Sequence, residues 1–265
     1  MLVYPHINPI AFRLGPIAVH WYGIMYLIGF AAAWLLARFR ASRPHSTWKP
    51  VDVDDFVFYG MLGVILGGRS GYVLFYGLTF WERDPWYPVK IWEGGMSFHG
   101  GLIGVLVAIS IFAIRRGRRI SDVFDFTAPL PGIGIFAGRI GNFINGELWG
   151  KPTTLPWGFK VDGVVRHPSQ LYEALLEGLL LFVVLWIYTS KPRPRLAPSG
   201  LFLVIYGCSR FLVELVRVPD AQIGYLAGGW LTMGQVLSLP MILIGAMLLV
   251  FAYSRRVPSG NFAIA

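Results

Sequence analysis

A single cysteine, Cys208, stands among 265 residues, and one cysteine excludes an intrachain disulfide. It lies in an apolar run beside Gly207, which predicts a small buried residue rather than a nucleophile. The five histidines are scattered, with no pair at helical spacing and no zinc-type Cys/His pattern. There is no Gly-x-Ser-x-Gly elbow and no acidic cluster of the kind that holds a divalent cation. A metal centre, a cofactor and a covalent enzyme nucleophile are therefore not expected. Charge is scarce too: 14% of residues are Asp, Glu, Lys or Arg, against about 25% in soluble domains.

What fills the chain instead is apolar. Hydrophobic residues make up 55% and aromatics 15%, and the mean hydropathy is +0.58. An integral membrane protein follows, and the length suits one integral domain over residues 1–265. The first nine residues lack the positive stretch of a cleavable signal, so the first span is expected to stay in place. A spanning helix needs about 20 apolar residues. Seven segments qualify: 18–38, 56–77, 99–115, 121–140, 169–190, 199–217 and 232–253. The fourth contains Pro129 and Pro131, which predict a kink. The fold class is all-α, a polytopic bundle of seven transmembrane helices.

Basic residues set its orientation. Arg38, Arg40, Arg43 and Lys49 follow the first span, Arg115, Arg116, Arg118 and Arg119 the third, Lys191, Arg193 and Arg195 the fifth, and Arg255 and Arg256 the last. The opposite ends carry fewer bases, with acids such as Glu82, Asp84, Glu147 and Asp220 among them. The positive-inside rule puts the N-terminus outside and the C-terminus in the cytoplasm. The net charge of +9 is mostly these alternating anchors. They form no single patch, so no nucleic-acid partner is expected. The loops 78–98 and 141–168 fall outside and are rich in tryptophan, an interfacial residue.

Arg69, Arg139 and Arg210 remain inside spans, where a charge costs roughly 2.5–3.5 kcal/mol on insertion scales. Arg210 and Glu214 have i, i+4 spacing and can pair, but the spans offer few obvious acids for the others. The orientation puts Tyr22, Arg69, Tyr72, Tyr76, His99, Arg139, Asn142, Arg210 and Glu214 in the outer halves of five helices. Tyr206, Arg210, Glu214 and Arg217 share one helical face. Arginine forks match phosphate, so a phospholipid headgroup at the outer leaflet is the natural partner. His99, beside Gly100 and Gly101, is the candidate general base; His20 and His167 rank lower. Gln170 and Glu173, in the run 167–173, either line the cavity or cap and support the fifth helix. A non-enzymatic transporter or binder of an anionic headgroup is the competing class, but it would want polar residues through both halves of the bundle, and the inner halves are apolar.

One stretch gathers most of this polarity: residues 138–150, Gly-Arg-Ile-Gly-Asn-Phe-Ile-Asn-Gly-Glu-Leu-Trp-Gly. It resembles the prolipoprotein diacylglyceryl transferase signature, Gly-Arg-x-x-Asn-Phe-x-Asn-x-Glu-x-x-Gly, at Gly138, Arg139, Asn142, Phe143, Asn145, Glu147 and Gly150. Further matches are His99-Gly100-Gly101, the run His-Pro-Ser-Gln-Leu-Tyr-Glu at 167–173, and Tyr206-Gly207 with Arg210, Phe211 and Glu214. The resemblance implies a bacterial inner-membrane enzyme. It would move the diacylglyceryl group of phosphatidylglycerol to the lipobox cysteine of a preprolipoprotein signal peptide, forming a thioether and releasing glycerol 1-phosphate. On that reading Arg139 and Arg210 hold the phosphodiester. His99 takes the thiol proton, with Tyr22 as its orienting partner or alternative. Asn142 and Glu147, with Asn145, position the glycerol or lock Arg139. Glu214 holds Arg210, and Arg69 and Tyr76 join the headgroup site.

Overall fold

A computed structural model describes residues 2–15, 17–219 and 224–261; Asp220, counted among the outer acids, lies outside the described residues. The chain divides into two compact units. One comprises Met1–Leu36 with Asp125–Ser259, the other Ala37–Phe124 with Gly260–Ala265.

The first unit opens on short strands, where the sequence pattern predicted only helix. Strand β1 (Leu2–Val3) lies parallel to β4 (Phe159–Val161), which pairs antiparallel with β5 (Val164–Arg166). Strands β2 (Ile10–Leu14) and β3 (Ile17–His20) form a hairpin that leads into helix α1 (Trp21–Ala41). The all-α expectation is thus corrected to a mostly helical chain that has two small sheets among the described residues. Strands of two to five residues are too short to show a period of two, and β3 reads as the start of the first apolar run.

The second unit contains α2 (Pro50–Tyr76), α3 (Leu78–Arg83) and α4 (Phe98–Arg115). Pro50 sits at the first turn of α2, where no amide hydrogen is needed, and the Lys49 amide donates to the Asp52 carboxylate. Helices α2 and α4 touch through glycines. A Cβ added at Gly63 would lie 2.6 Å from the Gly104 carbonyl oxygen, and one at Gly71 would lie 2.8 Å from Gly100 Cα. In lipid such helices have no hydrophobic drive to associate, and small residues provide the close packing instead. At the far end of the pair, Trp48, Phe56 and Phe112 stack edge and face, with the Arg118 guanidinium 4.4 Å above Trp48.

Helix α5 (Ile120–Thr127) ends three residues before α6 (Pro131–Ile144). The expected kinked span 121–140 is therefore two short helices: Pro131 starts the second rather than bending one continuous helix. The remaining helices belong to the first unit. They are α7 (Ser169–Glu173), a π-helical segment (Ala174–Leu180), α8 (Leu181–Tyr188), α9 (Ala197–Glu214) and α10 (Met233–Arg255). Among the described residues, five helical stretches are long and apolar enough to cross a membrane: Trp21–Ala41, Pro50–Tyr76, Phe98–Arg115, Ser169–Tyr188 and Met233–Arg255. Seven were expected. The fourth falls out because it is broken, and α9 because Arg210 and Glu214 lower its hydropathy. Cys208, expected buried, is exposed on α9; Gly207, one residue away, takes the face against α10, where Ile242 sits.

The α2–α4 contact generates a paired test. Gly63→Ala places a methyl on backbone and should destabilise by about 1–3 kcal/mol. Gly60, with nothing within 4 Å of an added Cβ, should tolerate Ala at no cost or gain up to about 1 kcal/mol. Thermal unfolding in detergent compares the two; equal midpoints would contradict this packing.

Candidate functional site

Helix α6 and the π segment meet backbone to backbone. A Cβ at Gly178 would lie 2.7 Å from Phe136 Cα, and one at Gly132 would lie 2.8 Å from the Gly178 carbonyl oxygen. This approach brings Arg139, two turns beyond Gly132, to two carboxylates. Its Nε stands 2.8 Å from Glu173 Oε2 and its Nη2 3.6 Å from Glu177 Oε2. Glu173, the last residue of α7, and Glu177, in the π segment, are four residues apart on one continuous helical stretch, so their side chains share a face.

Helix α9 supplies the other side. Arg210 Nη1 reaches Glu173 at 3.1 Å and Glu177 at 3.4 Å, and its Nη2 reaches Glu214 at 2.5 Å. Arg217 joins Glu173 at 3.0 Å and Glu214 at 2.6 Å. Glu214 also accepts from Thr232 Oγ1 at 2.6 Å. Thr232 in turn caps α10 through a reciprocal pair with Gln235. Among the described residues three guanidiniums face three carboxylates, so the formal charges of the cluster balance. Glu177 is fully buried and Glu173 nearly so, whereas the side chains of Arg139 and Arg210 keep 23% and 18% exposure. The accessible edge of the cluster is therefore cationic.

The 138–150 stretch is held beside it. Asn142 Nδ2 donates to Glu147 Oε1 at 2.7 Å, and Asn145 Nδ2 donates to the same oxygen at 3.3 Å. Gln170 Nε2 donates to the Glu147 carbonyl, and Ser169 Oγ to the Leu148 carbonyl at 2.6 Å. Tyr4 Oη lies 2.8 Å from the carbonyl oxygens of both Phe143 and Ile144. At the end of the stretch Gly150 lets the chain come against α9: a Cβ there would lie 2.6 Å from the Val216 carbonyl oxygen. Tyr22 packs on Gly141, its Cδ2 3.1 Å from where a Cβ would sit, and its hydroxyl is 3.3 Å from that of Tyr26. Asn145 Oδ1 and Gln170 Oε1 are buried acceptors without a donor among the described residues. Nearby, His167 Nδ1 lies 3.2 Å from the Tyr172 hydroxyl. Burial, and then the charge of Lys151, hold the pKa of this imidazole below its usual value.

The first unit thus brings together Tyr22, Arg139, Asn142, Asn145, Glu147, Arg210 and Glu214 of the expected site. His99, Arg69 and Tyr76 belong to the second unit. His99 is exposed in the first turn of α4, edge-on to Phe98. Tyr76 is exposed at the end of α2. Arg69 is buried and donates to main-chain carbonyls, an occupation other than the expected headgroup contact. The expectation that spans hold few acids is corrected: Glu173 and Glu177 lie within one. Glu177, Thr232 and the pairing of Arg217 went unread in the sequence. The carboxylates were visible by the same argument that marked the arginines, since two acids four residues apart interrupt an apolar run.

Residues 9–251 match the family model for prolipoprotein diacylglyceryl transferase. The chain belongs to the prolipoprotein diacylglyceryl transferase family. Curated relatives named phosphatidylglycerol–prolipoprotein diacylglyceryl transferase include one from Solidesulfovibrio magneticus, 59% identical over 98% of this chain and 99% of the relative. One from Oleidesulfovibrio alaskensis is 56% identical over 95% and 96%. One from Coxiella burnetii is 57% identical over 97% and 99%. Within this transferase chain the matched span covers the whole arginine–glutamate cluster.

Charge balance in the transferase is testable without substrate. Glu177→Gln leaves three guanidiniums against two carboxylates and should cost about 3 kcal/mol, a fall of roughly 10 °C in Tm. Adding Arg139→Gln restores neutrality, and the double variant should melt above the single one. A double variant that melts lower, by the sum of the separate losses, would contradict a charge-balanced cluster.

Proposed function

We propose that this chain transfers the diacylglyceryl group of phosphatidylglycerol to the thiol of a lipobox cysteine in a preprolipoprotein. The single observation that carries the reading is the neutral cluster with its cationic edge, Arg139 and Arg210, within a chain of this family. The thiolate attacks the glycerol carbon that bears the phosphate ester. A carbon–sulfur bond forms, the carbon–oxygen bond breaks, and its electron pair leaves on the phosphate oxygen of glycerol 1-phosphate. Charge grows on that phosphate as the bond breaks, and fixed donors aimed at it stabilise the transition state more than the ground state. Glu173, Glu177 and Glu214 serve this by holding both guanidiniums in one rotamer each. Asn145 Oδ1 and Gln170 Oε1, buried without a donor among the described residues, suit the hydroxyls of the glycerol headgroup, and Asn142 fixes the Glu147 carboxylate beside them.

A free thiol, with pKa about 8.5, is mostly protonated at neutral pH, so the attack needs a base. We assign it to His99, with Tyr22 orienting, and give Tyr76 a place along the headgroup. The chain works as one integral domain in the bacterial inner membrane. It crosses seven times, with α5 and α6 together as the fourth crossing and α9 as the sixth, and its active site opens to the outer leaflet. The alternating basic clusters support that orientation, because each follows an inward-running span.

The direct test is incubation of purified protein with phosphatidylglycerol and a lipobox peptide, read as a mass increase on the peptide cysteine. Arg139→Ala and Arg210→Ala should each lower transfer by about 10²-fold or more while the protein still inserts. Near-normal transfer by both would sink the phosphate assignment. For the base, His99→Gln should lose activity throughout the neutral range; full activity there would remove His99 from the role.

A further inference from the structure

Arg69, in the second unit, meets its charge in another way than the arginines of the first unit. It lies in α2, is 4% exposed, and no carboxylate comes within ion-pair distance among the described residues. Main-chain oxygen surrounds it instead. Its Nε donates to the Pro88 carbonyl at 3.1 Å and its Nη2 to the Tyr87 carbonyl at 2.5 Å. Its Nη1 donates to the Gly94 carbonyl and, at 3.3 Å, to that of Gly95. The guanidinium also lies 4.6 Å from the ring centre of Tyr87 and 5.9 Å from that of Tyr72. Four carbonyls thus offset the desolvation of a buried cation. They also leave the fork little capacity for phosphate, because guanidinium donors lie in one fixed plane.

The four acceptors belong to the segment that leads into α4. Gly94 and Gly95 have φ of +81° and +82°, a conformation open to glycine at little cost, and it turns both carbonyls toward Arg69. Just beyond, the Ser97 amide donates to the Gly68 carbonyl at 2.8 Å, and Ser97 Oγ accepts from the Gly100 amide at 3.2 Å. Gly100 then rests on Gly67 and Gly71. Residues 94–100 are therefore fastened to α2 at consecutive points around Arg69, and His99 stands within them.

We infer that Arg69 is a positioning residue: it anchors the 87–95 segment and thereby sets the backbone from which His99 projects, rather than binding the headgroup phosphate. This rests on the assignment of His99 as the thiol base. Lysine keeps the charge but not the planar fork, so Arg69→Lys separates the two roles.

The test uses full-length protein in detergent, phosphatidylglycerol and a lipobox peptide, with amide hydrogen exchange as a second readout. In Arg69→Lys, exchange across residues 94–101 should speed up by about tenfold or more, and kcat should fall about tenfold while KM for phosphatidylglycerol stays within about twofold. Arg69→Gln should behave like Arg69→Lys. A KM raised about tenfold with kcat retained would overturn the inference, as would a lysine variant that works where the glutamine variant fails. Unchanged exchange would overturn it too. If His99→Gln, run in parallel, is fully active, the base assignment falls and exchange alone decides on Arg69. The wild-type chain gives a check that needs no variant: the Ser97 and Gly101 amides, bonded to the Gly68 and Ser97 carbonyls, and the Gly100 amide, bonded to Ser97 Oγ, should exchange slowly, and fast exchange at Ser97 would refute the anchor.

Discussion

Three guanidiniums and three carboxylates in an apolar bundle form the interaction on which the first unit depends. Neither set could be buried alone. An isolated charge transferred from water into a low-dielectric interior costs several kcal/mol even after relaxation, and Arg139 and Arg210 would each incur that cost if left unpaired. Each arginine therefore requires the helix that carries its acids. Arg139 ties α6 to the start of the span Ser169–Tyr188, Arg210 ties that span to α9, and Glu214 ties α9 to the cap of α10 through Thr232. The π segment belongs to this constraint. It carries Glu177 four residues beyond Glu173, on the face that meets the same pair of arginines, and Gly178 lets α6 come close enough to deliver one of them.

Close approach is the second condition, and glycine meets it in both units. In water a glycine inside a helix is a cost of roughly 0.5–1 kcal/mol relative to alanine. Between helices in lipid it is the means of contact, since lipid tails compete equally for any larger apolar side chain. That explains why Gly63, Gly71, Gly100 and Gly104 can line one helix pair without weakening it. It also explains why Gly132 and Gly178 occur where charged side chains must meet over short distances.

Helices were legible in the sequence because apolar runs near 20 residues have few other readings. Their ends and interruptions were less so. Pro129 and Pro131 signalled a disturbance, but whether a proline bends a helix or starts a new one depends on what packs around it, and here α6 begins against Gly178 and Phe182. The strands near the N-terminus were silent, because β1 finds its partner more than 150 residues away at Phe159 and a two-residue strand has no periodicity. At the site, the arginines announced themselves as charges in apolar segments. Their partners obeyed the same rule, yet a charge shows only that it needs a counterion, not which one. Arg210 and Glu214 share a helix and are readable from spacing, whereas Arg139 and Glu173 are joined only by the packing of α6 on the π segment. Arg69 shows the limit most clearly. Its charge is met by carbonyls that any sequence possesses, so no residue type marks the partner.

A neutral cluster changes what substrate recognition means in the proposed reaction. A site built from unpaired arginines would attract any anion through net charge, and it would hold the product, with its greater negative charge, more tightly than the diester. Here Glu173, Glu177 and Glu214 cancel the long-range field, leaving only the exposed N–H edges of Arg139 and Arg210. Those edges act at hydrogen-bond range and in fixed directions, so they reward the geometry of a phosphate drawn into the correct place rather than its charge alone. In the proposed reaction these donors are the groups that would meet the extra charge as the carbon–oxygen bond breaks. Once glycerol 1-phosphate moves off the donors, the carboxylates behind them leave no net charge to draw it back. The pairing that makes the arginines tolerable in a membrane thus also keeps them from becoming a trap for the product.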